Sequence, residues 1–237
     1  MAGTRTYRRV LVGTALVGAL VLGAGPAGGD VIDIDGGGSG LSVTANVPVV
    51  GPVTVGPLPS VTAPPGGDQT LVGVPANPVA DAQVLSAATE FATGPGGFND
   101  SAASVVGTNV LAGVLTAGVI TSACAADEAG AAGTSEVLDA QAAGIPLAVT
   151  PPVNTTIPLP LVGTLHLNEQ TMSGPNQMTV TALRLELNTA GLVTGEVAIS
   201  RASCGVAAGP TVGGAVGGPG GPGGPATPVT GAPNYTG

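Results

Sequence analysis

Three stretches between residues 161 and 200 alternate apolar and polar side chains with a period of two, and this pattern limits the possible folds most. In residues 161–167, Leu165 and Leu167 fall on one face, Thr164 and His166 on the other. Residues 178–187 alternate in the same way, but Val180 and Leu183 are out of phase, which predicts a bulge near Ala182. Residues 192–200 set Val197 beside Ile199, and Asn188-Thr189-Ala190-Gly191 reads as the hairpin connection before them. Successive side chains of a strand point to opposite faces, so these are half-buried strands. Short strands, frequent turns and no convincing amphipathic helix predict an all-β chain, an antiparallel β-sandwich or a barrel-like domain.

Glycine and proline set the organisation around that core. With 41 Gly and 22 Pro in 237 residues, they make up more than a quarter of the chain, a composition of turns and short strands. In residues 28–82, Leu41, Val43, Ala45 and Val47 alternate with Ser42, Thr44 and Asn46, as in a strand. Pro48, Pro52, Pro57 and Pro59 then argue against a long central strand, because each removes a ladder donor. This region therefore reads as Gly/Pro-rich, with short strands and extended loops, its packing on the rest left open. Residues 83–205 form the β-rich domain. Within it the Ala-rich run 123–143 suits a helical turn or, given Gly130, Gly133 and Gly144, a loop. Residues 206–237 are nearly all Gly and Pro from 213 to 225 and are expected to be a disordered tail, too poor in apolar surface to offset ordering entropy.

Residues 1–27 have the layout of a signal peptide: Arg5, Arg8 and Arg9, an uncharged apolar run 10–24, then Gly25-Pro26-Ala27. The run is shorter than the roughly 20 residues of a membrane span. The expected product is secreted or associated with the cell surface, with no transmembrane anchor after signal cleavage. Cleavage would leave two arginines, Arg184 and Arg201, and no lysine against all fourteen Asp and Glu, deepening the precursor's charge of −9. Nucleic acid is then excluded as a partner, since phosphate contacts need cations. After the leader the only rings besides His166 are Phe91, Phe98 and Tyr235, too few for a sugar-stacking platform.

The two cysteines, Cys124 and Cys204, read best as a disulfide, because exported chains meet oxidising conditions. Two Cys and one His cannot complete a structural zinc site. His166 lies near Glu169 in sequence, but strand alternation places it on the polar face, as a surface or edge residue. No nucleophile elbow or zinc-binding helix accompanies it. The expectation is therefore no enzyme, no catalytic residue, no cofactor and no bound metal. Two alternatives stay open. A hydrolase using carboxylates alone would use Glu169 and Asp127, and a calcium-dependent surface module would start from Asp33-Ile34-Asp35-Gly36.

Residues 120–204 resemble the choice-of-anchor P family of exported actinobacterial proteins. The resemblance rests on Ile120-Thr121-Ser122-Ala123-Cys124-Ala125-Ala126, on Asn154-Thr155-Thr156-Ile157-Pro158-Leu159-Pro160, on Leu167-Asn168-Glu169-Gln170, on the strand 178–187 and on Ala202-Ser203-Cys204. It implies an exported β-rich domain with no established activity, and a motif of unknown role in Asn168, Glu169 and Gln170. Thr227-Pro228-Val229-Thr230-Gly231 looks like a sortase motif with Thr in the leading place, but only six residues follow it. Release, or non-covalent attachment to the envelope, is the expectation. Together these features predict a non-enzymatic structural or interaction protein with an unidentified envelope or extracellular partner.

Overall fold

The computed structural model describes residues 31–48, 50–74, 79–189 and 193–208. The expected signal peptide, and all but the first three residues of the expected tail, lie outside them. Among the described residues there are fifteen strands and no helix. In chain order they are β1 Val31–Ile34, β2 Gly36–Val47, β3 Gly51–Ala63, β4 Gly67–Val72 and β5 Ala80–Asp81. Next come β6 Val84–Ala92, β7 Phe98–Val110, β8 Leu115–Asp127, β9 Gly130–Leu138 and β10 Gln141–Ala142. The last are β11 Ile145–Pro146, β12 Thr155–Leu159, β13 Gly163–Gly174, β14 Gln177–Asn188 and β15 Thr194–Ala208.

They form two antiparallel sheets packed as a sandwich. The first runs β12-β13-β14-β15-β2-β3, with β1 also on β15; the second runs β11-β10-β8-β7-β6-β4, with β5 on β7 and β9 on β8. The expected all-β sandwich is the observed fold.

The structure decides the packing that the sequence left open, and its strands differ from the expectation in the proline-rich and Ala-rich segments. Residues 28–82 do not stand apart: β2 pairs with β15, with Leu41 opposite Ile199 and Val43 opposite Val197, so the N-terminal hairpin completes the first sheet. The proline-rich piece is one thirteen-residue strand, β3, rather than short strands and loops. It occupies the sheet edge, where an absent N–H disrupts the ladder least. The Ala-rich run 123–143 is neither helical turn nor loop but the end of β8, then β9 and β10. Small side chains let the sheets approach closely there. A Cβ on Gly133 would come within 2.2 Å of Val180 Cγ2, across the sandwich. That tertiary contact overrides the helix propensity of alanine.

The slip at residues 180–183 is not a bulge. Leu183 pairs with Leu167 and Ile199, and Thr181 with Glu169 and Arg201, so no residue is inserted. Instead four neighbouring strands switch inward face at one level. Leu167-Asn168, Ala182-Leu183, Ile199-Ser200 and Gly40-Leu41 are each consecutive buried residues. Asn168 (φ 50°) and Ser200 (φ 57°) make the turn in the left-handed region, one the sterics of an L-residue disfavour. Beyond Ser200 the inward residues are Ala202, Cys204 and Val206 instead of Val197 and Ile199.

That switch turns Cys204 inward. Alternation carried on unbroken from Ile199 would send it outward; the left-handed turn at Ser200 reverses the facing. Cys204 on β15 is bonded to Cys124 on β8, joining the two sheets with Cα atoms 5.5 Å apart. Both half-cystines are buried, in a small cluster with Val31, Ile34, Met178, Val180 and Val206. The larger cluster, built on Leu41, Leu85, Ile120, Leu165 and Leu183, lies on the other side of the switch. Beside the switch the Ser200 hydroxyl donates to the Ala103 carbonyl at 2.9 Å and lies 3.0 Å from the Ser122 hydroxyl, so these buried groups are satisfied.

Candidate functional site

The face switch assembles the polar residues of the outer surface of the first sheet. Unbroken alternation from Thr164 and His166 would turn Glu169 into the core. The inward turn of both Leu167 and Asn168 sends it out instead, next to Arg184 of β14. The Glu169 carboxylate accepts from Arg184 Nε at 2.7 Å and from Nη2 at 2.9 Å, a two-pronged pair. Arg184 Nη1 also donates to Glu186, and lies 3.5 Å from Glu196. The bond to Glu169 foremost, and then that to Glu186, raise the Arg184 pKa, while Arg184 holds the Glu186 carboxyl below its ordinary value. His166 faces this surface as expected, partly buried, with Nε2 3.6 Å from Glu186 and Nδ1 3.4 Å from the Thr156 hydroxyl.

The motif Asn168-Glu169-Gln170 divides into two roles. Glu169 holds the arginine. Asn168 and Gln170 fasten a loop and the other sheet: Asn168 Nδ2 donates to the Pro151 carbonyl at 2.9 Å, and its own carbonyl accepts from Asn154 N at 2.9 Å. Gln170 Nε2 donates both to Asn168 Oδ1 at 2.9 Å and to the carbonyl of Gly133 in β9 at 3.0 Å. The Gln170 backbone N–H donates to Asn154 Oδ1 at 2.8 Å. Glu169→Gln keeps the shape but removes the charge from a partly buried pair. It should cost about 1–2 kcal/mol, read as a lower denaturant midpoint at unchanged slope.

The two carboxylates of the hydrolase alternative are not brought together. Glu169 stands on β13 of the first sheet; Asp127 ends β8 in the second, where its Oδ1 accepts from Ala129 N at 2.8 Å and Gly130 N at 3.2 Å and so caps the β8–β9 turn. Of the calcium-loop pair, Asp33 accepts from the next backbone N–H, of Ile34, at 2.9 Å, and both Asp33 and Asp35 are exposed. Among the described residues no three His, Cys, Asp or Glu are grouped to hold a metal ion.

Asp127 does influence one neighbour. Asp100 is raised from its ordinary value by partial burial, then by Glu90, its cross-strand partner, and by Asp127. A raised carboxyl pKa means that folding disfavours the charged form. The penalty is full above the raised pKa and vanishes as pH falls below the unfolded value. Asp100→Asn should therefore melt higher than the parent at pH 7, and the two curves should converge in acid.

The outer face also holds a hollow of about 230 Å³, lined by Glu169, Thr171, Thr179, Thr181, Arg184, Glu196, Ala198 and Arg201. Neither arginine is conspicuous in the sequence as a site. The available signal is that the only Arg or Lys residues beyond residue 27 lie in the last two strands. No family model, no curated protein and no solved structure matches the chain.

Proposed function

We propose that the chain is an exported protein of the cell surface or extracellular space that acts as a non-enzymatic structural or interaction module, of the kind the choice-of-anchor P resemblance implies. One observation carries the reading: the Cys124–Cys204 bond, buried between the sheets, which suits a protein matured under oxidising conditions. Support also comes from the acidic groups nearest to catalytic use. Glu169 is occupied by Arg184 and Asp127 by a turn, and they lie in different sheets.

The test is mass spectrometry of the protein collected outside expressing cells, alkylated without reductant. The expected mass lacks a leader ending near Ala27 and carries no alkyl adduct. A retained leader, or two adducts, would count against the reading. Proteins retained on the immobilised mature chain from envelope extracts then supply the partner. In parallel, a hydrolytic activity lost in Glu169→Gln would replace the non-enzymatic part of the proposal.

A further inference from the structure

The face switch in the first sheet leaves a trench on its outside. Leu167-Asn168, Ala182-Leu183 and Ile199-Ser200 each turn two successive side chains inward, so three adjacent strands present none outward at that level. The outward residues on either side, His166 and Glu169, Thr181 and Arg184, Ala198 and Arg201, are three positions apart rather than two, about 10 Å along a strand. The 230 Å³ hollow is this trench, with the small side chains of Thr181 and Ala198 between the longer walls.

Its charges are unevenly matched. Glu169 has both oxygens on Arg184, so that pair is neutral toward a ligand. Arg201 is exposed, and among the described residues no carboxylate lies within ion-pair distance of it; its cross-strand partners are the neutral Thr181 and Ser39. Among the described residues the other arginine, Arg184, is paired, so the Arg201 guanidinium, beside a threonine 7% exposed, is the arginine left to meet an anion. A guanidinium fork fits a planar carboxylate with two parallel hydrogen bonds. Glu169 and Glu196 on the same hollow disfavour a dianion, which favours a carboxylate over a phosphate. We propose that the trench binds a small monocarboxylate, gripped by the Arg201 guanidinium and the Thr181 hydroxyl. The volume suits one sugar acid or the terminal residue of a peptide. This deepens the interaction reading above and rests on it, but its test needs neither export nor the native partner.

Nitrogen-15 NMR of the full chain, at fixed chloride concentration, would follow titration with glucuronate, with N-acetylalanine, and with their neutral counterparts glucose and N-acetylalanine amide. The expected result is saturable shifts at Thr181, Ala198 and Arg201 for at least one acid and for neither neutral analogue. Response to glucuronate alone assigns sugar acids, and response to N-acetylalanine alone assigns peptide carboxyl termini. Arg201→Gln should weaken the binding about ten-fold or more, at an unchanged melting temperature. Ala198→Leu, which fills the floor without altering charge, should also abolish it. Failure of both acids to saturate, equal shifts from the neutral analogues, or binding that survives in Arg201→Gln overturns the proposal while leaving the export test untouched.

Discussion

Replacing Cys124 and Cys204 together by alanine should lower the melting temperature by about 8–20 °C. The bond closes a loop with a sequence separation of 80. In the chain-entropy model such a loop removes about 4–5 kcal/mol of unfolded-state freedom, and each kcal/mol moves the midpoint of a domain this size by about 2–4 °C. Most of the effect acts on the unfolded chain, so the sandwich of the double variant should keep its far-ultraviolet spectrum below the lowered transition. Both half-cystines are buried, at 2% and 1% exposure. Reductant should therefore act on the native protein only as fast as the sheets part. A shift of less than about 3 °C in the double variant would mean that the bridge contributes far less than its loop predicts.

Ser200→Val should destabilise the fold by about 2–5 kcal/mol, and more than Ser200→Gly. Two costs combine at this residue. It sits at φ 57°, where a β-branched side chain is disfavoured by about 1–2 kcal/mol relative to the ordinary strand region. Its hydroxyl also satisfies the Ala103 carbonyl and the Ser122 hydroxyl in a fully buried setting, and loss of such a partner costs about 1–3 kcal/mol. Glycine loses the hydroxyl but accepts the backbone angle. Equilibrium unfolding of the Gly, Ala and Val variants should give Val as the least stable and Gly as the mildest change. Equal losses for Gly and Val would remove the left-handed turn from the explanation of how the sheet changes face.

Much of the fold was legible in local pattern. Leu165 and Leu167 are buried while Thr164 and His166 face outward, as the alternation in residues 161–167 requires. Asn188 pairs with Thr194 across the expected hairpin, although residues 190–192 of its turn lie outside the described residues. The out-of-phase pair Val180 and Leu183 marked the right place but suggested the wrong device, because a sequence reports a change of phase without saying whether a residue is inserted. The site was much less legible. Glu169 could be named from its motif, yet its partner Arg184 lies fifteen residues away on the next strand, and the hollow involving Arg201 depends on three strands switching together.

The amino-acid sequence alone determined the class: period-two alternation made strands, and two cysteines offered one possible bridge, whereas prolines that argued against a long strand did not prevent β3. These are local properties, set by the backbone of each short stretch. Only the tertiary structure decided which strands became neighbours. It brought β2 onto β15 and gave the proline-rich β3 the edge. It also fixed which way Cys204 and Glu169 point, because Asn168 and Ser200 adopt left-handed angles that no local preference demands. Those angles are held by Ala103 and Ser122 across the sandwich for Ser200, by the Pro151 carbonyl for Asn168, and by the matching switch on adjacent strands. Facing is therefore a property of the assembled sheets, and both the disulfide and the trench follow from it.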